Sequence, residues 1–128
     1  AMGLVNLDYL SEILVARKFQ FHHYLDILKG MKVKFLDIAG IESYNYAYFP
    51  IIFENEVQLE KSMALLSDHE IGSRRYFFPG LNHLDYTSGE TPVSDSISSR
   101  VLCLPLYHGL SKEEQKMIAR ILLRVQNN

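Results

Sequence analysis

Leu4, Leu7, Leu10, Leu14, Phe21, Leu25 and Leu28 recur at intervals of three, four or seven residues, a spacing that predicts one long helix over 3–28. Gly30 stands where a C-terminal stop belongs. So long a helix is expected to bend, or to lean on a surface outside its own domain. The period then drops to two. Met31, Val33 and Phe35 alternate with Lys32 and Lys34, predicting a strand over 31–38. After a loop at 40–43, residues 44–53 read as a second strand, which Pro50 confines to a sheet edge or a bulge.

Asn55 with Gln58 forms an Asx version of a capping box and opens a helix to about Leu66. Residues 71–78 predict a third strand. The stretch 79–91 lacks periodicity and carries Gly80, Asn82, Asp85, Ser88 and Gly89, marking a surface loop of the kind that often carries function. A short helix is expected over 93–99, then a brief buried strand at Val101–Leu104 ended by Pro105. Ser111 and Glu114 make a full capping box for a last helix running to about Val125. The pattern sums to an α+β fold: a small, mainly antiparallel sheet backed by helices, with a long N-terminal helix.

Composition narrows this picture. A chain of 128 residues is one domain by the usual size prior. A formal charge of −2 leaves no electrostatic footprint for nucleic acid or an anionic membrane. Cys103 has no partner for an internal disulfide and is expected to pack as a small core hydrophobe, so a reducing cytoplasm is the default compartment. No apolar run approaches the roughly 18 residues of a membrane span.

The stretch Arg74-Arg75-Tyr76-Phe77-Phe78-Pro79-Gly80 is the most informative chemically. Strand alternation sends neighbouring side chains to opposite faces, so one arginine shares a face with apolar neighbours. A guanidinium against aromatic rings suits recognition of an anion or a polar ring. The alternative is an edge strand with solvated arginines. Tyr44, Tyr46 and Tyr48 would share one strand face, as a core wall or as a ligand platform. Asn45 between them can both donate and accept, as sugar hydroxyls require.

Other chemistries find no complete set. His22 and His23 sit about 100° apart on a helix and cannot reach one ion. Cys103 lacks a basic neighbour in sequence to lower its thiol pKa. The glycines do not form a phosphate cradle. Lys18, Lys29, Lys32, Lys34, Lys61, Lys112 and Lys116 occupy polar contexts rather than an apolar pocket that would depress an amine for Schiff-base chemistry.

Four segments in order carry a family resemblance. They are Ala1–Leu7 with Ala16-Arg17-Lys18 and Tyr24; Asn45-Tyr46-Ala47-Tyr48-Phe49-Pro50; Arg74–Pro79; and Ser99–Tyr107 with Leu110–Glu114. Together they resemble the C-terminal part of the DegT/StrS family of sugar aminotransferases, in its branch acting on dTDP-linked keto-6-deoxyhexoses. The resemblance implies that residues 1–128 are the small C-terminal domain of a fold-type-I enzyme. The large domain, with its Schiff-base lysine and pyridoxal phosphate, would lie upstream, and this chain would be inactive alone.

It further implies a homodimer that moves an amino group from glutamate onto a nucleotide-linked keto sugar. Carried over by position, Asn45, Tyr46, Arg74, Tyr76 and Asn82 would border the sugar or its diphosphate, with Arg75 as the substitute for Arg74. Two positions depart from many members, which carry histidine where Ala47 and Asn82 stand; Asn82 suits the dTDP-sugar branch. Two other classes compete with this reading. One is a module stacking single-stranded RNA on strand aromatics, against which the lack of basic excess argues. The other is a dimerisation piece built on Tyr44–Phe49 and the first helix.

Overall fold

The computed structural model describes residues 2–87 and 89–127; Ala1 and Ser88, both used in the sequence reading, lie outside the described residues. The elements run α1 (Met2–Asp8), α2 (Leu10–Ile27), β1 (Val33–Phe35), β2 (Phe49–Phe53), α3 (Glu56–Asp68), a 3-10 turn at Leu81–His83, α4 (Pro92–Ser98), β3 (Val101–Leu104) and α5 (Lys112–Asn127). The sheet is antiparallel in the order β1-β2-β3. The expected α+β class is therefore what forms. Among the described residues, no helix is long and apolar enough to cross a membrane.

One sheet face carries the core. Phe49, Ile51 and Phe53 of β2 alternate inward with Leu102 and Leu104 of β3. Phe21, Tyr24 and Leu28 of α2, Leu59 and Leu66 of α3, and Ile118, Ile121 and Leu122 of α5 close over them. Phe21 meets Phe49 edge-on, with ring centroids 4.9 Å apart. Val101 and Cys103 point to the other face and are buried as well, outside the core cluster. On that side α4 and residues 76–80 line a cavity with Val101, while Arg74 pairs with the edge of β3 at Cys103.

Four long-range hydrogen bonds tie α2 to the chain after β3. The Tyr24 hydroxyl donates to the Pro105 carbonyl at 3.0 Å. Gln20 Nε2 donates to the Leu110 and His108 carbonyls, at 3.0 and 3.2 Å. Gln115, fully buried, donates from Nε2 to the Gln20 carbonyl at 2.8 Å. Burial pushes the Tyr24 phenol well above its ordinary range, which keeps the hydroxyl a donor.

The structure departs from the sequence reading where local hydrogen bonding outcompetes extension. The long helix is broken at Tyr9, whose N–H bonds the Asn6 carbonyl three residues back, a 3-10 contact that tightens the turn. α2 stops at Ile27 without a left-handed glycine; the positive-φ glycines are Gly40 and Gly89. α1 buries no residue, and Leu4, Leu7 and Leu10 remain 72%, 59% and 45% exposed. The strand expected over 31–38 shortens to three residues because Asp37 Oδ1 accepts the Ala39 N–H at 2.9 Å and turns the chain.

The strand expected over 44–53 loses its first half for the same reason. Asn45 Oδ1 takes the Ala47 N–H at 3.0 Å, and Tyr46 adopts φ 50°. Tyr44, Tyr46 and Tyr48 thus do not share a strand face: the first two pack on Phe21, while Tyr48 packs on Tyr76. Pro50 sits on the central strand rather than an edge. The Phe53 N–H points to β3, where it bonds the Arg100 carbonyl at 2.9 Å, so the Pro50 nitrogen points to the β1 side. Pairing with β1 ends at Phe35 opposite Ile51, so no ladder bond is missing.

The third strand over 71–78 reduces to one bridge. Arg74 exchanges N–H···O bonds of 3.2 and 2.8 Å with Cys103, and the chain then leaves the sheet. The caps form as read. Asn55 Oδ1 accepts the Gln58 N–H at 3.0 Å, and Ser111 Oγ accepts the Glu114 N–H at 3.2 Å while Glu114 Oε2 accepts the Ser111 N–H at 2.7 Å.

Two stability experiments follow. Leu102→Ala, emptying a fully buried β3 position, is expected to cost about 2–5 kcal/mol, and Tyr24→Phe about 1 kcal/mol, by urea denaturation. A larger loss for Tyr24→Phe would show that the core is not centred on the sheet. In the second experiment, the Ser111 N–H and then its hydroxyl hold the Glu114 carboxyl below the usual glutamate range. The stabilisation is present above the unfolded glutamate value and lost as pH falls through the folded one. Glu114→Gln should therefore flatten the acid limb of stability against pH; an unchanged limb would show that the cap carries no linkage.

Candidate functional site

The end of β3, the extended arm 72–76 and the segment leaving the Asn45 turn converge on a cavity of about 180 Å³. Its wall includes Ala47, Tyr48, Arg74, Tyr76, Cys103 and Pro105. The arm is held there by its bridge to Cys103, and the floor by the Tyr24–Pro105 bond. Arg74 Nη1 donates to the Tyr76 hydroxyl at 2.8 Å, and its Cζ lies 5.9 Å from the Tyr76 ring centre. Tyr48 meets Tyr76 edge-on at 5.2 Å. No other charged side chain lines the cavity, and among the described residues Arg74 makes no ion pair. The arrangement offers an exposed, oriented cation backed by two phenols, which is chemistry for holding an anion. Burial raises the Cys103 thiol, so the sulfur in this wall is a packing group rather than a nucleophile.

A second, larger cavity of about 480 Å³ opens on the other side of Tyr76. Phe77, Leu81, Asn82, Ser94 and Ile97 are among its lining residues. Asn82 Nδ2 donates to Asp95 Oδ1 at 2.8 Å, and His83 Nε2 lies 3.0 Å from the same oxygen, so the 3-10 turn is latched onto α4.

The six residues singled out by sequence separate into three groups. Arg74 and Tyr76 are brought together in the first cavity, and Tyr76 joins Asn82 in the second. Asn45 and Tyr46 line neither; Asn45 supports its own turn, and the Tyr46 ring packs against Phe21 and Tyr44 at 5.4 and 5.0 Å. Arg75 points away. Its guanidinium pairs with Glu56 at 2.8 Å, donates to the Ser99 carbonyl at 2.9 Å and lies 3.6 Å over the Phe78 ring. Of the two arginines, Arg74 lines the first cavity and Arg75 lines neither. Tyr48, Ser94 and Ile97 escaped the sequence reading as site residues. Only the Asn45 turn, whose Asx signal is present in the sequence, could have separated Tyr48 from the other tyrosines.

Pyridoxal phosphate does not fit a site made by these residues. All seven lysines are exposed, none lines either cavity, and neither cavity wall contains a carboxylate to face a pyridinium nitrogen.

Comparison with known proteins places the architecture. The chain is 31% identical to the dTDP-4-amino-4,6-dideoxy-D-glucose transaminase of Escherichia coli, over 96% of this chain and 36% of that protein. It superimposes on a DegT DnrJ EryC1 StrS aminotransferase from Brucella abortus with a TM-score of 0.85 at 27% identity, covering 98% of this chain and 34% of that one. The same fold recurs in DesI, crystallised in the presence of its TDP-sugar product, with a TM-score of 0.84 at 22% identity over 97% and 34% of the two chains. The chain thus spans about a third of the length of the relatives it matches. Residues 1–123 match the model of one family, and the chain belongs to it: the DegT/DnrJ/EryC1/StrS aminotransferase family.

Proposed function

We propose that this chain is the small, C-terminal domain of a longer aminotransferase that transfers an amino group from glutamate to a dTDP-linked keto-6-deoxyhexose. The observation carrying this reading is Arg74. Among the described residues its guanidinium makes no ion pair; it is oriented by Tyr76 and set in a wall otherwise free of charge, inside a chain of this family. A diphosphate is the anion that such a fork binds well. The E. coli relative is named for a dTDP-sugar, which supports the substrate class.

On this reading the amino group's carrier, pyridoxal phosphate, and the lysine that holds it belong to residues outside this chain, which alone is inactive. The domain contributes position. Arg74 and Tyr76 fix the diphosphate, and Asn82 faces the other side of Tyr76; Asn45 and Tyr46, which line neither cavity, act through the turn that leads to Ala47 and Tyr48 in the wall. Holding a substrate in one orientation turns its encounter with the reactive amine into an effectively unimolecular step. Arg75, engaged with Glu56, holds the arm rather than the substrate. The reading also takes the enzyme to be a cytoplasmic homodimer.

Two measurements test it. In the longer enzyme, Arg74→Ala should raise KM for the nucleotide sugar about tenfold, the low end for a charge-assisted bond because Arg74 is exposed. Arg75→Ala should lower thermal stability and leave KM nearly unchanged; the reverse pattern would sink the assignment of the two arginines. Separately, pyridoxal phosphate added to the 128-residue chain should give no visible absorbance of a lysine-bound cofactor. Such a band in this chain would overturn the division of the active site.

A further inference from the structure

The turn that ends α3 holds a residue its backbone disfavours. The Ile71 N–H bonds the Leu66 carbonyl and the Glu70 N–H bonds the Ser67 carbonyl, both at 2.9 Å. This is a Schellman turn, and it places Glu70 in the left-handed region with φ 59°. Glycine is the residue that holds such a position without strain. A carboxylate is disfavoured there a second time, because the C-terminal carbonyls of α3 are its negative pole. The last turn of α3 holds no basic residue to offset it, and among the described residues Glu70 makes no ion pair. Two local rules broken at one residue point to a compensating partner.

That partner has a place. Glu70 borders a cavity of about 420 Å³, within the range of organic-ligand sites. The cavity adjoins the one at Arg74, sharing Gly72 and Pro105 with it, and is opposite in charge. Glu70 and Glu114 both line it, and no lysine or arginine does. Glu114 receives the Ser111 N–H and hydroxyl on Oε2, which leaves Oε1 open and favours the ionised carboxyl. His69 Nδ1 lies 2.8 Å from the Leu65 carbonyl, to which it can only donate, so the neutral ring keeps Nε2 as an acceptor. The floor is apolar: Leu110 and Ile118 are buried, with half-exposed Met117 and Tyr107 beside them.

Acceptors around an apolar floor match a cation with an aliphatic body. Among the described residues, no three such side chains close around one point to hold a metal ion. Two separate carboxylates therefore suit two ammonium groups joined by a chain better than a single ion. The chain would cover Met117 and Ile118, and Tyr107 supplies a ring for an ammonium to lie against. We infer that this cavity binds an aliphatic diamine, with one ammonium on Glu70 at the end of α3 and the other on Glu114. The inference goes beyond the nucleotide-sugar reading and stands without it.

The test titrates the diamine putrescine into the isotopically labelled 128-residue chain. The backbone amides of Glu70, Gly72, Tyr107 and Met117 should shift, and those of Phe77 and Ser94 should stay in place. Magnesium chloride and butanediol, which reproduce the charge and the chain separately, should move none of them at equal ionic strength. Glu70→Gly should weaken putrescine about fivefold, the upper end for an exposed charge pair, while raising the Tm by roughly 3 °C. A gain in stability with a loss of binding is a result that a purely structural residue would not give. Met117→Lys, which sets a cation in the wall from an exposed helix position, should remove binding and covers the case in which the glycine variant alters the turn.

Shifts confined to other residues, equal shifts with magnesium or butanediol, or putrescine affinity unmoved by both substitutions would overturn the site. Tighter binding of a lysine-containing peptide than of putrescine would overturn its assignment to a small molecule.

Discussion

The bond from the Tyr24 hydroxyl to the Pro105 carbonyl is the contact on which the site's geometry depends. Tyr24 is completely buried in α2, and Pro105 begins the segment leaving β3 that floors the Arg74 cavity. Losing the donor of this partly buried carbonyl costs about 1 kcal/mol, which favours one relative position of the helix and the segment. Gln20 and Gln115 extend the same brace to Leu110 and α5. The brace therefore joins three elements distant in sequence and holds the end of β3 at a fixed height over the core. Arg74 inherits that height through its bridge to Cys103.

The two adjacent arginines show how one strand-like step separates two tasks. Arg74 leaves the bridge toward solvent and the phenols; Arg75 turns back to Glu56 and the Ser99 carbonyl. The Arg75 pair is only partly exposed and is reinforced by the carbonyl and the Phe78 ring, so it anchors the arm better than an isolated surface pair would. Without that anchor the arm would hang on a single two-bond bridge, and the orientation of Arg74 would be lost to rotamer freedom.

Legibility from sequence follows the range of the forces involved. Both capping boxes, at Asn55 and at Ser111 with Glu114, are fixed by residues three apart and form as read. Alternation predicts strands longer than those that form, because it is also satisfied by residues that an Asx side chain diverts, as Asp37 and Asn45 do. Pro50 was legible in its consequence and not in its place: it does lack a ladder partner, yet on a central strand whose neighbour has ended. Of the site, Arg74 and Tyr76 could be read because their signal is local. Tyr48, Ser94 and Ile97 could not, since each reaches its cavity through the docking of a different element.

Sharing one wall has an energetic corollary. Tyr76 packs on Tyr48, accepts from Arg74 and borders both cavities, so its ring and its hydroxyl act on different parts of the site. Removing the hydroxyl alone would free the guanidinium while leaving the ring surface in place; removing the ring would disturb Tyr48 and Phe77 as well. Substitutions at Tyr76 and Arg74 therefore overlap in what they remove, and their effects cannot add. Substitutions at Arg74 and Ser94 touch different cavities and share no contact, so theirs should add. Additivity, more than the size of any single effect, separates two independent cavities from one site with a loose rim.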